Sequence, residues 1–302
     1  MDYKKIIKSR KVREQILRLL RFVPDKTMVK IQYRIKTGRK LNLKNPQRYT
    51  EKLQWYKLYY KNPLMIKCVD KYDVREYVKS LGLEEILNEC YGVFDKVEDI
   101  DFDKLPNQFV MKDTLGGGGD RVIICKDKTN FDIEGAKKKM QEWVSEPIVK
   151  FGGREWPYYS GKGHRIIIEK FLECDDGDLP DYKFFCFNGK SEFFYIKVDY
   201  AKAHDEGKLT FFDKDFKQLC VKMDYCNLLA EKIEPPEEIN RMIELSNKIS
   251  KDFPHVRVDF YLINGKIYFG EMTFYNASGY MTFEPDEFDF EMGSKFSIER
   301  VG

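Results

Sequence analysis

"HVRVDFYLINGKIYFGEMTFYNASGY", residues 255–280, is two apolar runs joined by Asn264-Gly265, and charged residues interrupt both runs. Asn-Gly between alternating apolar segments is the strongest short-range signal for a two-residue hairpin. Arg257 to Ile263 and Lys266 to Glu271 are therefore read as paired strands. Side chains in a strand alternate between faces, so Arg257 and Asp259 point the same way. Glu271 can then sit at a similar height on the neighbouring strand. Two carboxylates inside strongly apolar strands are costly unless something compensates their charge. A hard divalent cation, with the phosphates it bridges, would do so. The plainer alternative is a surface Asp and Glu paired with Arg257.

A second stretch bears on that choice. "NQFVMKDTLGGGGDRVIICKD", residues 107–127, is an apolar run ending in Lys112, four consecutive glycines (Gly116, Gly117, Gly118 and Gly119), and a second apolar run. Glycine backbone can approach an anion closely and adopt positive φ, so several N–H groups can converge on one polyphosphate. No Gly-Lys-Ser or Gly-Lys-Thr follows, and no helical pattern starts directly after the glycines, which excludes a Walker A loop and a Rossmann turn. Phe109 to Lys112 and Val122 to Cys125 read instead as strands of a hairpin that can lie over a ligand, with Lys112 at its root. A merely flexible hairpin tip is the alternative.

Helices are expected over Tyr49 to Tyr60, ended by Asn62-Pro63, from an Asp70 N-cap through Val74, Tyr77, Val78 and Leu81 to Gly82, over Asp132 to Val144, and from about Pro236 to Lys251. Ile166 to Phe171 reads as a strand. Lys183 to Phe187 and Glu192 to Ile196 read as a hairpin turning at Asn188-Gly189. Helices interleaved with antiparallel hairpins define an α+β fold.

Composition bounds the rest. The chain has 302 residues, 42% of them hydrophobic, enough for two core-bearing lobes and too apolar for disorder. Seven cysteines with no C-x-x-C pair argue for a reduced compartment without structural zinc. No apolar stretch approaches a membrane span and the first residues lack a signal-peptide core, so a cytoplasmic location is expected. The net charge of +3 conceals an asymmetry: residues 1–48 hold sixteen Lys or Arg against Asp2, Glu14 and Asp25, a balance of +13 that leaves −10 for the remainder. Ile6, Ile7, Ile16, Leu17, Leu19, Leu20 and Phe22 recur at helical spacing among the basic residues, so residues 1–22 could lie on an anionic membrane surface or simply dock on the rest of the protein. No nucleic-acid motif accompanies the charge, and nucleic acid is not an expected partner.

Taken in order, Lys71 in "VDKYDVREYVKSLGL", Lys112 before the glycines, Glu169 in "IIIEKFL", Lys183 in "DYKFFCFNGK" and "VRVDFY...YFGEMTFY" resemble the ATP-grasp fold. More narrowly, "EKLQWYKLYYKNPLMIKCVDKY", "YFGEMTFYNASG" and the Phe283 to Gly293 segment resemble the TupA-like ATP-grasp branch, associated with teichuronopeptide and other surface polysaccharide synthesis. The resemblance spans about residues 49–295. With the basic N-terminal stretch, the expected organisation is a basic helical N-terminal extension over 1–60, an ATP-grasp small lobe with the glycine loop over 61–172 and a catalytic lobe with a metal site over 173–302.

Site roles follow from the resemblance position by position. Lys71 and Lys112 would contact the α- and β-phosphates, and Gly116 to Gly119 would fold over the β- and γ-phosphates. Glu169, with the backbone of Lys170 and Leu172, would hold adenine, and Asp175 or Asp176 would reach the ribose. Lys183 would point at the γ-phosphate, Asp259 and Glu271 would bind Mg2+, and Arg257 would steady the oxyanion of the intermediate. The family pattern places an asparagine two positions after the metal glutamate; Thr273 stands there, so Thr273 or Asn276 must supply the third oxygen, or water must. Leu115 stands where a histidine is usual in the branch.

The implied activity is ATP-dependent joining of a carboxylate to an amine through an acylphosphate, with a uronic acid, as a nucleotide sugar or polymer, and an amino acid or amine as substrates. No protein nucleophile is needed, in keeping with three histidines and no Ser-His-Asp pattern. His164 and His255 adjoin motif strands; they are read as hydrogen-bonded or surface residues, with a catalytic base as the alternative. The aromatic stretch at 151–165 could touch the acceptor or pack as a surface loop. Alternatives are a kinase of a sugar or lipid-linked saccharide, and a non-catalytic scaffold at the membrane.

Overall fold

The computed structural model describes residues 10–117, 119, 121–149, 152–173, 179–198, 208–224, 226–228 and 231–298. Gly118, Asp175 and Asp176 lie outside the described residues, as does the segment 1–9 of the basic amphipathic stretch. Two compact units divide the chain. Unit 1 comprises Met1–Asn62, Val149–Trp156 and Asp176–Gly302; unit 2 comprises Pro63–Ile148 and Pro157–Asp175.

Unit 1 begins with helices α1 (Arg10–Leu19), α2 (Asp25–Thr37) and α3 (Tyr49–Tyr59). Helix α2 stops where Gly38 takes a left-handed conformation and its N–H caps the Arg34 carbonyl. At the start of α3, the Glu51 carboxylate accepts from the N–H groups of Asn42, Gln47 and Arg48, so orphan donors ahead of the helix are satisfied.

Unit 2 contains α4 (Leu64–Val69), α5 (Val74–Ser80) and α6 (Ile133–Val144) around a four-stranded antiparallel sheet. Its strands are β1 (Cys90–Phe94), β2 (Phe109–Asp113), β3 (Val122–Cys125) and β4 (Ile166–Lys170), ordered β1-β4-β2-β3. Asp132 caps α6 by accepting from the Gly135 N–H at 2.9 Å. The Asp70 cap differs from expectation: its carboxylate accepts from the N–H groups of Tyr72 and Asp73, closing the turn before the helix, and α5 itself starts at Val74. The core joins Phe109, Met111, Ile166 and Ile168 of the sheet to Ala136 and Met140 of α6.

The remainder of unit 1 is built on a seven-stranded sheet. It contains β5 (Asp181–Phe187), β6 (Lys190–Val198), β7 (Lys208–Asp213), the short β8 (Gln218–Leu219), β10 (Asn227–Leu228), β11 (His255–Ile263) and β12 (Lys266–Thr273), with β9 (Lys222–Met223) in a separate pair. The main path runs β10-β7-β6-β5-β11-β12, with β8 on β7, and β10 joins β7 in parallel. Both expected Asn-Gly hairpins form: Asn188 and Gly189 have φ of 51° and 75°, Asn264 and Gly265 of 49° and 75°, the left-handed pair that such a turn demands. Helix α7 (Ile239–Ser250) buries Met242, Leu245 and Ile249. Strand β13 (Phe283–Glu284) pairs with β9, and α8 (Glu287–Lys295) packs on α3. There the fully buried Asp289 carboxylate accepts from the Thr50 N–H (3.0 Å) and hydroxyl (2.8 Å) at the first turn of α3. Tyr49 and Tyr56 of α3 are fully buried, and both their hydroxyls bond His255, Tyr49 at Nε2 (2.9 Å) and Tyr56 at the carbonyl (3.2 Å). Helix α3 is thus part of the core of this unit.

Candidate active site

In unit 2, Lys112 lies on β2 next to β4, two residues along from the Val110–Glu169 pair. Its ammonium donates to Glu169 at 2.9 Å, and the other carboxylate oxygen takes Arg75 at 3.3 Å. Glu169 is therefore nearly buried between two cations. Arg75 also bonds the Asn88 carbonyl at 2.7 Å, the Asn88 amide donates to the Lys170 carbonyl at 2.8 Å, and the Lys170 N–H bonds Glu89. These contacts pin the end of β4 leading to Leu172. The Lys71 N–H bonds the Thr114 carbonyl at 2.9 Å and its ammonium donates to the Gly116 carbonyl, so Lys71 grips the first turn of the glycine loop at two points.

The glycines differ in what they require. A Cβ at Gly116 would come within 2.9 Å of Arg121 Cβ, and Gly119 has φ of +79°, whereas a Cβ on Gly117 would meet nothing within 4 Å. Close approach demands glycine at 116 and left-handed backbone demands it at 119. Sequence reasoning did not anticipate the clasp beneath this loop. Asp113, fully buried, accepts from His164 Nδ1 (2.8 Å), from Arg121 (2.7 Å) and from the Leu115 N–H (3.0 Å), and Arg121 also bonds Glu146. Burial opposes ionisation of Asp113, but the bonds from His164 and Arg121 outweigh it and hold the carboxyl below its usual range. The only signal in the sequence was a charge on each side of the loop.

In unit 1, Arg257 is the hub. Its guanidinium donates to both Asp259 oxygens, each at 2.7 Å, to Glu271 Oε1 at 3.1 Å, to the Thr273 hydroxyl at 3.0 Å and to the Asn276 side-chain oxygen. The Thr273 hydroxyl in turn donates to Glu271 Oε1 at 3.1 Å. Strands β11 and β12 shift register between Val258 and Phe260, and this bulge brings Asp259, Glu271 and Thr273 to one guanidinium. Lys183, opposite Asp259 on β5, bonds Asp259 and also Asp181 at 2.5 Å. Burial would lower the pKa of Lys183, but Asp181 and Asp259 reverse this and hold it above its ordinary value. Burial and the neighbouring Asp259 raise Asp181, against the pull of Lys183. Asp181, two residues before Lys183 and on the same face, was legible by alternation but was not singled out.

A further group positions Asn276. Ala277 and Ser278 both have positive φ, 44° and 55°, and precede Gly279 at 68°. The turn is held from α3: Gln54 donates to the carbonyls of Ser278 (2.9 Å) and Gly279 (2.7 Å), Lys57 donates to the Ser278 carbonyl at 2.8 Å, and the Ser278 hydroxyl bonds Glu155. Burial lowers Lys57 to about 7, against the pull of Glu155. Neither residue was picked out in the sequence, because α3 and residue 155 meet only through the fold.

The donors around Arg257 are two carboxylates, a hydroxyl and an amide, all oxygen, and they already surround a positive charge. Among the described residues no three His, Cys, Asp or Glu side chains gather to hold a metal unaided. Mg2+ does not ask for that, since it commonly takes one or two carboxylates together with substrate phosphates and water. The residues present fit that ion.

The helices and antiparallel sheets are those of the ATP-grasp fold. The TupA-like ATP-grasp family model matches residues 51–297, and the chain belongs to that family. It is thereby a member of the superfamily of ATP-dependent carboxylate–amine ligases. No protein of curated function matches significantly. Among solved structures, D-alanine–D-alanine ligase from Bacillus anthracis is 20% identical over 78% of this chain and 69% of its own, with a TM-score of 0.45. Biotin carboxylase from Campylobacter jejuni is 12% identical over 79% and 49%, with a TM-score of 0.44. L-amino acid ligase from Bacillus licheniformis is 16% identical over 71% and 45%, with a TM-score of 0.43.

Proposed function

We propose that the protein joins an amino acid or amine to a uronic acid of a cell-surface polysaccharide or its precursor, at the expense of ATP and through an acylphosphate. The observation that carries the chemistry is the Arg257 cluster, in which a mostly buried guanidinium is shared by Asp259, Thr273, Asn276 and the partly exposed Glu271. Family membership and the branch association support the substrate class.

In this reading Lys71 and Lys112 bind the α- and β-phosphates, and Gly116 to Gly119 cover the β- and γ-phosphates. Adenine is held by Glu169, Lys170 and Leu172, and the ribose by Asp175 or Asp176. Asp259 and Glu271, with Thr273 or Asn276, would hold Mg2+, which would neutralise charge on the phosphoryl group. A substrate carboxylate oxygen attacks the γ-phosphorus and ADP leaves; the amine nitrogen then attacks the acyl carbon, phosphate leaves, and the nitrogen loses a proton. Lys183 neutralises the transferring phosphoryl group and Arg257 the tetrahedral oxyanion. For both to turn to substrate, they must exchange carboxylate partners for phosphate and acyl oxygens.

The reading places the reaction at the cytoplasmic face of an anionic membrane, contacted through residues 1–22. In support, Val12, Ile16 and Leu19 of α1 are exposed at helical spacing, as is Phe22. Among the described residues no helix is long and apolar enough to cross a membrane. The test is a screen of nucleotide-sugar uronates against the common amino acids, scored by amine-dependent ADP release and product mass. A stable phosphorylated sugar formed without any amine would establish a kinase instead.

A further inference from the structure

Unit 1 carries a surface groove of about 700 Å3 whose lining includes Lys26 and Lys30 of α2, Lys40, Asn42 and Lys44 of the following segment, and Tyr59 at the end of α3. The basic residues of this region fall into two groups. Arg39 and Arg48 pair with Asp286 of the segment leading into α8, and Arg34 donates to the Gly38 carbonyl at 2.7 Å, so the arginines have structural partners. The ammonium groups of Lys26, Lys30, Lys40 and Lys44 pair with no carboxylate among the described residues. All four are exposed and face one cavity. Like charges gathered without counter-ions raise the local potential and draw an anion.

The shape of that charge narrows the ligand. Lysine ammoniums are compact point charges without the planar fork that arginine offers a phosphate. Spread along a groove, they suit carboxylates repeated along a chain. Tyr59 is 45% exposed and its ring packs against Trp55 at 5.2 Å between centroids, which steadies it as an apolar platform, and Asn42 adds a polar side chain to the lining. A sugar acid presents both a ring face and a carboxylate. Helix α3 also connects the groove to the chemistry, since Gln54 and Lys57 one turn away hold the 276–279 turn that carries Asn276 to Arg257.

We infer that the Lys26–Lys30–Lys40–Lys44 groove, with Tyr59 as its platform, binds an acidic saccharide. This rests on the proposed ligase reading and deepens it by giving the carboxylate-bearing substrate a docking site away from the reacting atoms.

The test is fluorescence or calorimetric titration of the full chain with an oligogalacturonate, a neutral maltooligosaccharide and phosphatidylglycerol vesicles, alongside a separate Mg-ATP titration. The wild type should bind the oligogalacturonate and not the neutral oligosaccharide. Replacing the four lysines by glutamine should weaken that binding by about tenfold or more and flatten its salt dependence, with Mg-ATP affinity unchanged. Tyr59→Ala should weaken it without altering the salt dependence. Oligogalacturonate binding that is absent in the wild type, or unchanged in the lysine variant, would overturn the inference. So would a lysine variant that loses only vesicle binding, which would make the groove a membrane contact. Saccharide binding in a protein that fails to bind Mg-ATP would leave the groove standing and remove the ligase reading.

Discussion

Arg257 and its oxygens respond differently to substitution because they differ in exposure. Asp259 is 1% exposed and bridges Arg257 and Lys183, so Asp259→Asn leaves each of these buried cations with a single carboxylate, Glu271 for Arg257 and Asp181 for Lys183. It should cost about 1–3 kcal/mol of stability as well as turnover. The Glu271 side chain is 37% exposed and shares Arg257 with Asp259. Glu271→Gln should therefore melt within a few degrees of wild type while ATP turnover falls by about a hundredfold or more. Paired melting curves and ADP-release assays check both outcomes; a Glu271→Gln variant with full turnover would remove that residue from the proposed ion site. His255 gives a pH prediction. It is fully buried, both ring nitrogens are hydrogen-bonded, and burial lowers its pKa to about 3. The unfolded chain protonates this ring near its ordinary value of 6.5 and the folded one does not. Its stabilising effect is thus complete above pH 6.5 and is lost as the pH falls toward 3, by a few kcal/mol at about 1.4 per unit. Denaturant unfolding between pH 7 and 4 should show that slope, and His255→Gln should flatten it.

At the scale of elements, the contact of α3 with α8 and the anchoring of the N-terminal helices are both testable. A Cβ at Gly293 would lie 2.1 Å from the Gln47 carbonyl oxygen and 2.8 Å from the Tyr49 nitrogen. Gly293→Ala should destabilise unit 1 by about 1–3 kcal/mol or more, because backbone and not a flexible side chain must move. A variant as stable as wild type by thermal melting would mean the two helices separate easily. The buried Arg154 guanidinium donates to the carbonyls of Leu20 (2.8 Å) and Arg21 (3.3 Å). Deleting residues 1–22 should weaken binding to anionic vesicles, and stranding Arg154 should cost about 1–3 kcal/mol, measured against a deletion of residues 1–9. If the deletion of residues 1–22 abolishes Mg-ATP binding, the N-terminal stretch is structural and its membrane role falls. The hairpins at Asn188-Gly189 and Asn264-Gly265 were legible because the turn chemistry is local. By contrast β1, β7, α2 and α8 were not read, since their apolar residues acquire a face only against partners distant in the chain.

For the molecule as a whole, the order of lysine, glycine loop, hinge strand and carboxylate hairpin was enough to read the α+β fold and the family. What stayed hidden was the company each residue keeps: Glu169 between Lys112 and Arg75, Asp113 under the glycine loop, and Asp181 beside Lys183. Such contacts depend on register and on side chains from separate segments, which spacing along one strand does not report. Calorimetric titration with Mg-ATP tests the central claim most directly, comparing the wild type with Glu271→Gln. Saturable binding by the folded wild type, weakened in the variant when Mg2+ is present and similar in both when Mg2+ is chelated, is the predicted result; a folded wild type that shows no binding at millimolar Mg-ATP would contradict it.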